Sequence, residues 1–354
     1  WLLAGCVGRS PGWPYMKPGA SGRFDEIDMM RGIAALCVVA SHYTSYCVRY
    51  LGGAPIHVPL EYGFYAVKLF FTISGFVIYF TLDKSRTVAD FAFSRFARLY
   101  PGYIAALSFM MFIETAVFGE RMWWGGYVVN LTMLQEYFGF PNLDNVFWSL
   151  TVELAFYLQM SIILWSGAIR RIEHIALAWI LVACGWKVAT ETFGIQVPDL
   201  VARLYLFDHV PYFMAGIAFY LIDKDGWKRQ RLAVLFLAAC AEWYMHGTEG
   251  LLVASAIFAV FAMAVAGWLR FLVNQVSIWF GAISYSLYIS HRNLGYSSMQ
   301  YLHEQGVTVG LGLTVVFGGA LLLATAIHYA VERPVGRRLT RWYKGRSVTR
   351  GARL

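Results

Sequence analysis

Residues 28–42 read Asp28-Met29-Met30-Arg31-Gly32-Ile33-Ala34-Ala35-Leu36-Cys37-Val38-Val39-Ala40-Ser41-His42. Gly32 to Ala40 carry no charge, so a helix through them is apolar on every face, as in a membrane span. With its flanks the segment covers 29–50, long enough to cross a bilayer. An arginine near one end and a histidine in the interior are costly to place in lipid, and each is therefore a candidate functional residue. They lie eleven residues apart, which at 100° per residue returns the helix to within about 20° of its starting direction. Both side chains project to one side, about 16 Å apart along the axis.

Working outward, nine further apolar segments occupy 61–82, 99–119, 146–168, 174–192, 204–222, 232–246, 250–267, 277–296 and 307–330. The pattern predicts an all-α integral membrane protein of about ten transmembrane helices. Of 354 residues, 58% are hydrophobic and 14% charged, against roughly 25% charged in a soluble domain. Mean hydropathy is +0.53. These values exclude a disordered chain, a coiled coil, a disulfide scaffold and a water-soluble enzyme. Five cysteines without CxxC spacing read as small buried side chains.

The formal net charge of +8 does not point to nucleic acid, because Lys and Arg gather in alternate connections. They cluster at 84–98, 170–171, 224–231 and from 333 onward, whereas the intervening loops hold Arg49, Arg121 and Arg203. Such a bias places the basic connections, and both termini, in the cytoplasm. Three regions follow: a disordered segment at 1–23 rich in Gly, Pro and Ser, a membrane domain at 24–340, and a basic cytoplasmic tail at 341–354.

Arg31 and His42 suit acyl-coenzyme A, which carries phosphates at one end and a thioester at the other. An arginine forks onto two phosphate oxygens. A histidine near the thioester can take and return a proton near neutral pH. Arg95 and Arg98, three apart on one helix face, extend the phosphate site. Glu153, inside Trp148-Ser149-Leu150-Thr151-Val152-Glu153, is expected to orient an acceptor hydroxyl or to pair with His42, with Lys68 as its counter-ion. Tyr285, His291, Asp208 and His209 are expected on the acceptor side. Lys187 and His328 read as interface residues. The sequence has no HExxH motif, no His/Cys cluster, no Walker loop and no dinucleotide fingerprint, so no metal is expected.

Five features in order resemble the acyltransferase 3 family of polytopic membrane acyltransferases. They are Arg31 and His42 with ten residues between them, Phe70-Phe71-Thr72-Ile73-Ser74-Gly75-Phe76-Val77, Arg95-x-x-Arg98-Leu-Tyr-Pro101, Trp148 to Glu153, and Ser284-Tyr285-Ser286-Leu287-Tyr288 with His291 and Glu332-Arg333-Pro334. The resemblance covers about residues 24–340. It implies transfer of an acyl group, commonly acetyl, from cytoplasmic acyl-CoA to a hydroxyl of a surface glycan or lipid-linked acceptor at a bacterial inner membrane. By resemblance, Arg31 and His42 are the leading functional pair and Arg95 and Arg98 the donor-side pair. His42 acts as general base or carries the acyl group itself. A second copy or a glycan-assembly protein is the expected partner. A secondary transporter for an acylated or anionic solute is the competing reading, although no pair of corresponding broken helices supports it.

Overall fold

The computed structural model describes residues 24–351, apart from 53–62, 64, 122 and 197. The expected disordered segment 1–23 and the last three residues of the basic tail lie outside the described residues. Among the described residues there are helices and no strand. They are α1 (Asp25–Tyr50), α2 (Ala66–Lys84), α3 (Val88–Ala116), α4 (Trp124–Asn130), α5 (Trp148–Trp165), α6 (Ile172–Phe193), α7 (Asp199–Leu204), α8 (Val210–Asp225), α9 (Arg229–Val265), α10 (Gln275–Ser290), α11 (Arg292–Glu304), α12 (Val309–Ile327) and α13 (Arg333–Gly351).

Among the described residues, six helical stretches are long and apolar enough to cross a membrane: Ala66–Lys84, Val88–Ala116, Asn145–Trp165, Ala168–Phe193, Arg229–Val265 and Val309–Arg346. The chain is therefore an all-α membrane protein. The remaining apolar segments also form helices, but for identifiable reasons they differ from simple spans. In α1 the C-terminal half carries Ser41, His42, Tyr43, Thr44, Ser45 and Tyr46, which lowers its hydropathy. The helices α8 and α10 have 16 residues each, about 24 Å of rise against a hydrocarbon core of about 30 Å. Every residue of α8 from Val210 to Asp223 is buried, so its neighbours rather than lipid surround it. The segments expected as two helices at 232–246 and 250–267 are one element, α9, broken at Gly247, where φ is 68° and ψ −157°. That conformation belongs to glycine.

Local sequence explains where key helices begin. Thr87 accepts from the Asp90 backbone N–H at 3.1 Å while the Thr87 N–H donates to the Asp90 carboxylate at 3.2 Å, a capping box that starts α3. Asn274 and Ser277 do the same for α10. The last helix begins with a π-helical turn at His328–Glu332. The tail expected after 340 is a continuation of this helix, and Tyr343 stacks on Phe93 of α3 with ring centroids 4.3 Å apart.

Packing sets relative directions. Gly32 meets Gly281 and His42 meets His291, so α1 and α10 run parallel. Phe71 packs on Phe213 and Tyr220 donates to Asp83, so α2 and α8 run parallel. Arg231 pairs with Glu173 and Tyr244 donates to Glu191, which makes the first half of α9 parallel to α6. Arg98 contacts Glu332 and Phe93 contacts Tyr343, so α3 and the last helix are antiparallel.

Candidate active site

Five helices line a cavity of about 100 Å³. Arg31 enters it from α1, Ser74 from α2, Arg95 and Arg98 from α3, Glu153 from α5, and Tyr285 from α10. Three arginines line this one cavity, and guanidinium groups suit an anion by charge and by fork geometry.

The three arginines are held differently. Arg31 lies 3.5 Å from the Asp28 carboxylate, one helical turn below it. Arg95 donates from Nη2 to Thr81 Oγ1 at 3.0 Å and from Nε to Ser94 Oγ at 3.3 Å. Arg98 is ion-paired with Glu332, and its guanidinium sits 5.4 Å from the centre of the Tyr285 ring. Glu332 is itself buried and accepts from Ser286 Oγ at 2.7 Å and from His328 Nδ1 at 3.0 Å. The π-helical turn carries both His328 and Glu332. Such turns re-aim side chains and recur at functional sites.

Glu153 accepts at one oxygen, Oε1, from Ser74 Oγ at 3.1 Å and from the Tyr157 hydroxyl at 2.7 Å. Tyr285 donates its hydroxyl to the Leu99 carbonyl at 3.0 Å. One turn further along α10, Tyr288 lines the same cavity and its hydroxyl lies 2.8 Å from Ser149 Oγ.

His42, expected to share a site with Arg31, does not line this cavity. Its Nδ1 stands 2.8 Å from Nε2 of His291, and the two rings stack with centroids 5.1 Å apart. His291 is fully buried, at the junction of α10 and α11. Tyr43, the neighbour of His42, donates its hydroxyl to the His291 carbonyl at 2.8 Å.

The structure brings Arg31, Arg95, Arg98, Glu153 and Tyr285 together, and joins His42 to His291. Several expectations change. Glu153 is tied to Ser74 and Tyr157 rather than to His42, because it leaves α5 facing α2. Lys68 is not its counter-ion; Lys68 Nζ lies 3.1 Å from Glu242. Glu242 is buried and also accepts from Tyr212 at 2.8 Å. Asp208 is exposed, and His209 packs its ring against Phe71 and Trp148; neither lines the cavity. His291 points at another histidine and at its own helix. His328 is part of the Glu332 cluster rather than an interface residue.

Glu242, Glu332 and Asp144 escaped the sequence reading as site candidates. Asp144 is buried, accepts from the Asn293 N–H at 3.0 Å, and pairs with Arg292 at 3.7 Å. The signal available for Glu242 was the one used elsewhere, an acid inside an apolar segment. Glu332 stands in the Glu332-Arg333-Pro334 motif, but its contact with Arg98 comes from 234 residues away; nothing local marks Asp144, whose partners Arg292 and Asn293 lie far away in sequence.

A family model for an acyltransferase domain matches residues 24–332. The chain belongs to the acyltransferase 3 family. Its cavity and both histidines lie within the matched region. Among relatives of this acyltransferase 3 chain, the acyltransferase MdmB of Streptomyces mycarofaciens is 31% identical over 169 residues, 44% of this chain and 43% of MdmB. The chain thus spans less than half the length of that relative. A putative acetyltransferase, ORF330, of Acidianus two-tailed virus is 23% identical over 334 residues, 88% of this chain and 90% of the viral protein. Nodulation protein 10 of Rhizobium leguminosarum bv. viciae is 26% identical over 231 residues, 52% of this chain and 61% of that protein. No solved structure matches.

Proposed function

We propose that this chain is a membrane-bound O-acyltransferase that moves an acetyl group from cytoplasmic acyl-CoA to a hydroxyl of a surface glycan or lipid-linked acceptor across a bacterial inner membrane. The observation that carries this reading is the convergence of Arg31, Arg95 and Arg98 on one internal cavity, whose α10 wall leads through Tyr288 to the His42–His291 pair. The family match and the relatives named as an acyltransferase and a putative acetyltransferase support the reaction class.

In this reading the arginines hold the donor phosphates, and the pantetheine arm reaches toward His42. His42 takes the proton of the acceptor hydroxyl, and the hydroxyl oxygen bonds to the thioester carbonyl carbon. The carbon–sulfur bond breaks, and the departing thiolate recovers the proton from His42. An ester and free CoA result.

Ten crossings with both termini cytoplasmic fit the same reading. Alternating passage makes the first and ninth spans parallel, the second and sixth parallel, the fifth and seventh parallel, and the third and tenth antiparallel. Those are the relative directions of α1 with α10, α2 with α8, α6 with the first half of α9, and α3 with the last helix.

The test uses membranes of a producing host and radiolabelled acetyl-CoA. Expected are release of CoA thiol and appearance of label in the glycan or lipid extract. His42→Ala should reduce both by about 10²–10⁴-fold if it is the general base. Movement of label across the membrane without thiol release would instead establish a transporter.

A further inference from the structure

We infer that His291 is a positioning residue that decides which nitrogen of His42 is basic. The inference rests on the acyltransferase reading and gives His291 a role other than acceptor binding.

The last carbonyls of a helix lack backbone donors within it. His291 follows the last residue, Ser290, and its Nδ1 lies 2.8 Å from the carbonyl oxygen of Tyr288 and 3.2 Å from that of Leu287. A carbonyl oxygen only accepts, so His291 Nδ1 carries the proton and donates. An uncharged imidazole has one donor and one acceptor nitrogen. The acceptor of His291 is therefore Nε2, and it stands 2.8 Å from His42 Nδ1. His42 must donate from Nδ1, and its lone pair resides on Nε2. Among the described residues, His42 Nε2 has no hydrogen-bond partner. Two hydrogen bonds in series thus run from a helix terminus to the base, and they leave its free nitrogen unprotonated.

The backbone supports this chain of bonds. His291 is fully buried and cannot turn to water. Tyr43 bonds the His291 carbonyl at 2.8 Å, so adjacent residues of α1 grip one residue of the α10–α11 junction. When His42 gains a proton at Nε2, the His291 lone pair faces the Nδ1–H and stabilises the imidazolium. Fixing a catalytic imidazole in one tautomer through its second nitrogen is worth on the order of 10⁴-fold where a carboxylate does it. A neutral ring supplies orientation with less charge stabilisation, so a loss of about 10²–10³-fold is expected here.

The experiment combines two measurements. The first is ¹⁵N NMR of full-length protein with ¹⁵N-labelled histidine rings in nanodiscs, with His42→Ala identifying the His42 signals. The parent should show a protonated Nδ1 and an unprotonated Nε2 on His42. In His291→Ala the His42 ring should become a mixture of tautomers, and thiol release from acetyl-CoA should fall about 10²–10³-fold in kcat with little change in donor KM. His291→Gln, whose amide offers an oxygen acceptor and an N–H donor, should recover at least about tenfold of that loss. A proton on His42 Nε2 in the parent overturns the inference, as does a His291→Ala protein with unchanged tautomer and turnover. The NMR pattern needs no substrate. If it is as stated but parent membranes release no thiol, the acyltransferase reading fails and the assignment of His42 Nε2 stands.

Discussion

Gly32 and Gly281 touch across the seam between α1 and α10, and ten residues further along both helices His42 touches His291. A Cβ added to Gly32 would stand 2.7 Å from the Gly281 nitrogen, and one added to Gly281 would overlap the Asp28 carbonyl. The two glycines therefore set how closely the helices approach. About 15 Å away along parallel axes, that closeness becomes a hydrogen bond between two rings.

Gly281→Ala should force the helices apart. Overpacking of this kind costs about 1–3 kcal/mol. The lower thermal midpoint should come with a loss of turnover larger than the stability change explains, because a 2.8 Å bond between His42 and His291 does not tolerate a separation of even one ångström. Thermal unfolding and thiol release on the same purified sample check this. Full activity in a Gly281→Ala protein would show that the seam does not govern the histidine pair.

Arg95 and Arg98 should not be equivalent. Arg98 already faces the buried Glu332 carboxylate, whereas Arg95 is bonded only to the hydroxyls of Thr81 and Ser94 among the described residues. The uncompensated charge at Arg95 is the more available to an anion. Arg95→Gln should therefore weaken CoA binding more than Arg98→Gln and should flatten its salt dependence more. Arg98→Gln should mainly lower thermal stability, since it leaves Glu332 buried without its cation. Calorimetric titration of CoA at two salt concentrations separates the two outcomes; equal losses of affinity would contradict the difference in pairing.

Glu153 places a carboxylate in the cavity that Arg31, Arg95 and Arg98 line. A unit charge roughly 8 Å from a phosphate, at an effective dielectric constant near 20, contributes about 2 kcal/mol before screening by solvent and salt. Glu153→Gln should therefore tighten CoA binding by about three- to tenfold while lowering turnover, since Ser74 and Tyr157 lose the charged acceptor that aligns them. Binding and thiol-release assays check both signs. Weaker CoA binding in Glu153→Gln would exclude the electrostatic account.

Gly247 should be essential to the shape of α9. Its φ of 68° and ψ of −157° lie in a region that L-residues avoid, so Gly247→Ala should cost about 1–3 kcal/mol. The break falls between the two spans expected at 232–246 and 250–267. Reporter fusions after residues 90, 172 and 226 should report cytoplasm, and fusions near 130 and 198 the opposite side. A cytoplasmic signal at 130 would invert the placement of Glu153.

Apolar length and the position of charge alone establish the solvent of the protein, its helical class and the charged residues of the cavity. Lipid leaves only a helix or a closed barrel for a spanning segment, so apolar length identifies helices, and a charge within one stands out. Arg31 and Glu153 were legible for that reason, Arg95 and Arg98 by their spacing of three on one helix face, and the shared face of Arg31 and His42 by helix geometry alone. The pairings come from tertiary packing. Glu153 bonds Ser74 rather than His42, Lys68 bonds Glu242, and Arg98 bonds Glu332, 234 residues away. Which acid meets which base depends on helix neighbours, on parallel or antiparallel direction and on register along each seam. Those are set by where small residues such as Gly32 and Gly281 allow backbones to touch, and no property of a single helix contains them. The tautomer of His42 is of the same kind, because the bond that fixes it comes from a residue 249 positions away.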